Sequence, residues 1–343
     1  AAGPVPGGRG GASGAGRADG GTVGATGGRD ADGTPRFDQP VAPGAYLWWY
    51  VDAVSDDGRH ALTIIAFVGS VFSPYYTWAR ARDPKSPAED HCAINVALYG
   101  DAGKRWTMTE RSRASVTRDV HEFVVGPSRI HWDGASLVLD LDEIGMPLPQ
   151  RVRGRVRVWP RGLSTFATTL DDAGRHRWGP IAPCARVEVD LQQPGVRWSG
   201  EAYLDSNEGD EPIDRPFTDW DWSRASLRDG STAVIYDVRQ KQGGDRVIAQ
   251  RFSADGGTER FEPPPRQKLP RSLWRIERHM RNEPGEPARV LHTLEDTPFY
   301  VRSMLDSSLL GERVSSVHET LNVPRLMART TRLMLPWRMP RVK

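Results

Sequence analysis

Residues 45–54 read Ala45-Tyr-Leu-Trp-Trp-Tyr-Val-Asp-Ala-Val54. Aromatic and β-branched residues fill the stretch, which is what a pleated, buried surface accepts. Ser55-Asp-Asp-Gly58 follows as a hairpin turn, and Arg59 to Phe72 forms the returning strand. The same grammar recurs downstream. Ser115 to Val125, a turn at Gly126-Pro127, Ser128 to Trp132, Asp133-Gly134 and Ser136 to Leu141 make a meander. Arg151 to Val158 sets Val on one face and Arg on the other, as in a strand with one face on a core and one in water. Further strands are expected at Ala185–Leu191, Val196–Tyr203, Ser231–Gln240, Arg246–Ala254, Leu273–Arg281, Arg289–Leu294 and Phe299–Leu305. Gly243-Gly244 and Asp255-Gly256-Gly257 supply turns. Amphipathic helical spacing is nearly absent before the last 25 residues. The pattern predicts an all-β protein built as antiparallel sandwiches or barrels.

With 343 residues the chain is too long for one small barrel, so two β domains are expected, at 37–185 and 186–343. Residues 1–36 hold 13 of the 35 glycines and no aromatic side chain. Such a segment buries too little apolar surface to offset its ordering entropy, so it reads as a disordered tail. Two cysteines exclude a disulfide scaffold; Cys92 and Cys184 read as buried, inert thiols. Basic and acidic residues number 46 and 44, which argues against nucleic acid as a partner. The longest apolar run, Ala61 to Phe72, is too short to span a bilayer. Arg outnumbers Lys 41 to 5, a skew that a GC-rich genome explains.

No nucleotide-binding glycine loop, zinc spacing or nucleophile elbow is present, so neither cofactor nor metal is expected. Three segments place polar groups among aromatics. In Arg175-His-Arg-Trp-Gly-Pro180, His176 and Trp178 share a strand face. In Tyr203-Leu-Asp-Ser-Asn-Glu-Gly209, Tyr203 and Asp205 do the same. A carboxyl facing inward beside aromatics loses hydration, which raises its pKa and makes it a proton donor at neutral pH. The same five residues from Asp205 are also good turn chemistry. In Phe217-Thr-Asp-Trp-Asp-Trp-Ser-Arg224, Asp219 and Asp221 fall on one face and Trp220 and Trp222 on the other. Paired acids beside tryptophans open a glycoside reading, against one of core tryptophans backed by solvated or Arg-paired acids. Tyr236-Asp237 and His318-Glu319 are weaker candidates. Pro324 to Lys343 carries Arg325, Arg329, Arg332, Arg338, Arg341 and Lys343, no acid, and Leu326, Met327, Leu333, Met334, Leu335, Trp337 and Met339. That composition suits a bilayer interface, or a closing segment packed on the second domain.

In this order, several segments resemble the carotenoid 1,2-hydratase (hydroxyneurosporene synthase) family. They are Tyr46-Leu-Trp-Trp-Tyr-Val-Asp52, Gly69-Ser-Val-Phe-Ser-Pro-Tyr-Tyr-Thr-Trp-Ala-Arg80 and His91-Cys-Ala-Ile-Asn95. His176-Arg-Trp-Gly-Pro180, Gly200-Glu-Ala-Tyr-Leu-Asp-Ser-Asn-Glu-Gly209, Trp220-Asp-Trp-Ser-Arg224 and Leu335-Pro-Trp-Arg-Met-Pro-Arg341 complete the set. The resemblance runs from about residue 40 to the end. It implies two lipocalin-like β domains, in a superfamily that includes some fungal pericyclases. It also implies addition of water, without a cofactor, to the terminal C1–C2 double bond of an acyclic carotenoid such as lycopene or neurosporene. The family's His-x-Trp and Tyr-x-Asp pairs fall on His176 with Trp178 and on Tyr203 with Asp205. A substrate of that kind implies a cytoplasmic enzyme held peripherally at a membrane.

The chemistry suits these residues. Protonating an isolated alkene at C2 leaves a tertiary cation at C1 and needs a strong, positioned acid, for which Asp205 is the candidate. Trp178 and Tyr203 are candidates to stabilise the cation through their ring faces. His176, or the Asp205 carboxylate, then takes the proton from the added water. Three other readings remain open at this level: a lipocalin-like carrier of a hydrophobic ligand, a polyene cyclase or pericyclase, and a carbohydrate-active protein using Asp219 and Asp221. They part on whether Asp205 and His176 converge on an elongated apolar pocket.

Overall fold

A computed structural model describes residues 26–342. The disorder expected for residues 1–25 lies outside the described residues. Two antiparallel sheets account for most of the chain. The first contains β1 (Tyr46–Ser55), β2 (His60–Val68), β3 (Ala93–Gly100), β4 (Arg105–Met108), β5 (Val116–Arg118) and β6 (Glu122–Val125). It continues with β7 (Ser128–Trp132), β8 (Leu137–Ile144), β9 (Arg151–Pro160), β10 (His176–Gln193) and β11 (Val196–Gly209). Their order is β4-β3-β2-β1-β11-β10-β9-β8-β7-β6-β5. The second contains β12 (Phe217–Ser226), β13 (Thr232–Gln240), β14 (Arg246–Phe252), β15 (Thr258–Arg260), β16 (Arg289–Asp296), β17 (Tyr300–Leu309) and β18 (Glu312–Asn322), in the order β15-β14-β13-β12-β18-β17-β16. The fold is all-β and lipocalin-like, as the strand pattern and the resemblance together implied. The change of sheet falls between Gly209 and Phe217, downstream of the division expected at 185/186, because β10 and β11 complete the first sheet.

Alternation along β1 builds two cores at once. Leu47, Trp49, Val51 and Ala53 point into a core within the first sheet, with Leu62, Ile64, Ala66 and Val68 of β2. Tyr46, Trp48 and Tyr50 point the other way, into a core shared with Trp220, Trp222, Val234, Tyr236 and Val238 of the second sheet. The opposite parity of β12 and β13, with Ala225, Ala233 and Ile235, packs a smaller outer cluster. The Val–Arg alternation of β9 behaves as read: Val152, Val156 and Val158 are buried, while Arg151, Arg153 and Arg155 are exposed.

Three local features depart from the sequence reading. A helix, α1, spans Pro74–Arg82 within the segment after β2. Its start is chemically marked: Ser73 Oγ accepts from the Tyr76 amide at 2.9 Å, and Pro74 occupies the first turn. Gly69 ends β2 with a φ of 69°, and a side chain there would meet the Ala45 carbonyl at 2.7 Å. Of the strand expected at Leu273–Arg281, only His279–Arg281 is formed. Residues 26–36, grouped with the tail on composition, pack against the first sheet. Arg29 is buried and donates to the carbonyls of Ser164, Phe166 and Pro180. Trp49 Nε1 donates to the Gly28 carbonyl at 2.9 Å. Backbone and guanidinium bonds hold this segment where apolar area is scarce.

A buried ion pair spans the two sheets. Arg224 on β12 donates through Nε to Asp52 Oδ1 on β1 at 2.7 Å, and both side chains are buried. Burial pushes the Asp52 carboxyl up, so removing its cation leaves a costly group between the sheets. Arg224→Leu is expected to lower the unfolding free energy by about 3–5 kcal/mol, measured by urea denaturation.

Candidate active site

The site is assembled by strand register. Asp205 on β11 lies opposite Tyr50, which lies opposite Ile65, which lies opposite Asn95. One step along, Asn207, Trp48 and Phe67 form the next row, with Trp178 of β10 on its other side. Gly209, Tyr46 and His176 form the row after that. Residues two apart share a strand face, so these rows present one continuous polar and aromatic surface to the second sheet.

Asp205 is buried, and its carboxyl is held asymmetrically. Trp178 Nε1 donates to Oδ2 at 2.7 Å and Tyr203 Oη donates to the same oxygen at 2.8 Å. An indole N–H can only donate, so Oδ2 is kept as an acceptor and Oδ1 is left for the acid's proton. Asn207 Nδ2 approaches Oδ1 at 3.4 Å. Burial raises the Asp205 pKa to about 8, against the lowering effect of the two donors. The group is therefore largely neutral at physiological pH.

A cavity of about 450 Å³ lies between the sheets and reaches Asp205 and Asn207. Trp48, Tyr50, Phe67, Trp220, Trp222 and Tyr236 supply aromatic walls around them. The far end is bordered by the basic C-terminal stretch, where Met334, Leu335 and Trp337 line the cavity. Here the chain forms short helices at Val323–Met327 and Arg329–Met334, then pairs Arg341–Val342 in parallel with Glu110–Arg111 near the first sheet. Two charged pairs enter the wall, Arg338 with Glu295 at 3.6 Å and Arg302 with Glu319. Arg302 donates to Glu319 through Nε at 2.9 Å and Nη2 at 2.6 Å, and Tyr50 Oη donates to the same carboxylate.

Asp205 thus sits on the cavity, with Trp178 and Tyr203 behind it as its donors. Neither aromatic lines the cavity itself, and His176 does not either. His176 shares a 2.7 Å hydrogen bond between its Nδ1 and Tyr46 Oη, and packs edge-on against Phe217 at 4.8 Å. Burial lowers its pKa and favours the neutral ring. Gly209 makes this pairing possible: a side chain there would stand 2.4 Å from the Tyr46 ring. Asp219 and Asp221 face away from the cavity and are both bound by Arg239, with Asp221 also accepting from Thr320 at 2.5 Å. They do not form an open acid pair. Cys92 and Cys184 are buried free thiols, both pushed up in pKa by burial. Among the described residues no three His, Cys, Asp or Glu side chains gather as metal ligands would.

Sequence reasoning did not single out Tyr50, Arg302 or Asn207 as site residues. The period-two reading already placed Tyr50 on the face of Trp48, and Asn207 on that of Asp205. Arg302 carried no such signal, because its burial depends on Glu319 of the neighbouring strand.

The raised pKa has a stability consequence. Asp205 holds its proton in the folded state up to about pH 8, whereas an unfolded Asp loses it near pH ~3.9. Stability from this group is present below the unfolded value and is lost as pH rises toward the folded one. Asparagine keeps an oxygen acceptor for Trp178 and Tyr203 and cannot ionise. Asp205→Asn is expected to raise Tm more at about pH 7.5 than at about pH 5, measured by thermal unfolding monitored by circular dichroism.

Comparison with known proteins fits this arrangement. Residues 64–343 match the family model described as carotenoid hydratase CrtC. The chain is 70% identical over 310 residues to an acyclic carotenoid 1,2-hydratase of Rubrivivax gelatinosus, covering 90% of this chain and 76% of that one. It is 54% identical over 309 residues to the protein of the same description from Thiocapsa roseopersicina, with 90% and 76% covered. A ligand-bound crystal structure of CghA shares the fold at 14% identity, with a TM-score of 0.52 over 84% of this chain and 91% of that one. The chain belongs to the carotenoid hydratase CrtC family, and with it to the enzymes that add water across a double bond.

Proposed function

We propose that this enzyme is an acyclic carotenoid 1,2-hydratase acting on lycopene, neurosporene and related ends, with Asp205 as the proton donor. The observation that carries the reading is a neutral, buried acid whose free oxygen meets an aromatic-walled cavity. Asp205 protonates C2 of the terminal double bond, and a tertiary cation forms at C1. The lining faces of Trp48, Tyr50, Trp222 and Tyr236, rather than Trp178 and Tyr203, stand where they stabilise that cation, at about 2 kcal/mol or more in a desolvated site. Paired charges matter here: Arg302 is neutralised by Glu319, so the wall does not oppose a cation with a bare guanidinium. Water adds at C1. The Asp205 carboxylate, freshly deprotonated, is the base that takes its proton, since His176 lies two rows beyond and off the cavity. His176 then acts as a positioning residue through Tyr46. The cycle needs no cofactor in this scheme.

An apolar substrate of this length resides in a bilayer, and the mouth of the cavity suits a membrane surface. Leu333 is 67% exposed and Trp337 75%, among Arg325, Arg329, Arg332 and Arg338. Across the mouth, Pro147 lines the cavity and Leu148 is 70% exposed. Apolar side chains entering the acyl region and cations meeting anionic headgroups would hold the mouth at the interface. No described helix is long and apolar enough to cross a membrane.

Incubation with lycopene in detergent and isotopically labelled water, followed by mass analysis, tests the chemistry. Asp205→Asn is expected to lose hydration by at least about 10³-fold, whereas His176→Phe keeps more than about a tenth of it. The wild-type rate is expected to fall as pH rises through about 8, where Asp205 loses its proton. Near-wild-type turnover by the Asn variant refutes the assignment. For the surface, Leu148→Glu with Leu333→Glu is expected to weaken co-sedimentation with vesicles containing anionic phospholipid, while activity in detergent is preserved. Unchanged sedimentation refutes the membrane reading.

A further inference from the structure

Four buried polar atoms of cavity-lining residues have no hydrogen-bond partner among the described residues. Glu295 Oε2 is paired in charge with Lys104 Nζ at 3.0 Å, which leaves Trp222 Nε1, Tyr300 Oη and Asn207 Oδ1. Their chemistry differs. A water that is to attack carbon must give a hydrogen bond and keep a lone pair free. An indole N–H can only donate, so it takes one of the water's two lone pairs and draws electron density from the attacking oxygen. An amide oxygen only accepts, so it orients water in the reactive sense. Of the three, only Asn207 also stands next to the acid.

Its placement is fixed on both sides. Asn207 is two residues from Asp205 on the same strand face, so their Cα atoms are about 6–7 Å apart along the strand and their side chains can meet. Trp48 and Trp178 flank it in its row across the sheet. The amide turns Nδ2 toward Asp205 Oδ1, at 3.4 Å, which leaves its oxygen for another partner. The residue is 4% exposed, so bulk water does not satisfy that oxygen. A buried water needs at least two polar partners, and Asn207 Oδ1 and Asp205 Oδ1 supply them at this end of the cavity.

We infer that Asn207 binds and orients the water that is added to the substrate. The inference rests on Asp205 being the proton donor and extends that reading to the second half of the reaction. The Asp205 O–H bond breaks as the C2–H bond forms, leaving the cation at C1. The water held by Asn207 forms the C1–O bond with its free lone pair. The resulting oxonium returns one proton to the Asp205 carboxylate, so H and OH have been added and the enzyme is unchanged. Asn207 is thereby the residue that decides whether the cation is hydrated or gives a proton back to become an alkene again.

The test separates those two fates. Wild type, Asn207→Leu, Asn207→Ser and Asp205→Asn are incubated with lycopene in detergent micelles in D₂O. Hydrated product and deuterium in recovered lycopene are both measured, and circular dichroism reports the fold. The leucine variant is expected to lose hydration by about 10²-fold while recovered lycopene gains deuterium, because the cation forms without being captured. Where leucine prevents folding, the smaller serine variant is expected to show the same diversion to a lesser degree. Hydration within about threefold of wild type in the folded variant overturns the inference. So does a parallel loss of hydration and deuterium uptake, which would make Asn207 a support for the acid alone. Asp205→Asn is expected to lose both signals. Wild-type hydration in that variant would instead overturn the reading of Asp205, whatever Asn207 does.

Discussion

Strand Tyr46–Ser55 must be buried on both faces, and the remaining architecture answers that requirement. Leu47, Trp49, Val51 and Ala53 are covered by the first sheet curling on itself. Tyr46, Trp48 and Tyr50 are too large and apolar to face water, so a second sheet covers them. Neither cover is perfect between the sheets. Aromatic rings of this size do not interdigitate as aliphatic side chains do, and a cavity persists where Trp48, Tyr50, Trp222 and Tyr236 meet. The proposed reactive site is thus the unfilled part of an inter-sheet core, lined largely by aromatic rings.

Burial governs the electrostatics as well. Each charged group between the sheets has a partner: Asp52 has Arg224, and Glu319 has Arg302. Asp205 has none. It is given hydrogen-bond donors in place of a cation, and two neutral donors do not offset the loss of hydration. A lysine or arginine in place of Trp178 would favour the ionised form of Asp205 and lower its pKa. The acid's strength of purpose comes from the absence of a counter-ion, a feature that pairwise contacts alone do not reveal.

Much of this was legible before any coordinates. Period-two alternation placed the inward faces of β9 and β12 correctly, because a strand's side-chain period is set by its backbone. It also put Asp219 and Asp221 opposite Trp220 and Trp222. The raised pKa of Asp205 followed from its aromatic neighbours in sequence. What alternation does not encode is which strands lie side by side. His176 shares a parity with Trp178, yet β10 pairs it with Gly209 and places it behind Tyr46, away from the acid. Trp178 and Tyr203 do meet Asp205, but they present an N–H and an O–H to it, not their ring faces to the cavity. The Arg302–Glu319 pair and the packing of Arg29 on distant carbonyls depend on contacts more than ten residues apart, which composition leaves invisible.

The inequality of the two Asp205 oxygens carries a consequence for the handedness of the product. Because Trp178 and Tyr203 both hold Oδ2, the carboxyl cannot exchange the roles of its oxygens by shuttling a proton. With Asp205 as donor, every turnover then delivers hydrogen from one fixed direction, onto one side of a planar alkene held between rings. Deuterium from solvent would mark that side as a single stereocentre, so an indole that never touches the substrate would set the configuration at a carbon where the unlabelled product shows no chirality at all.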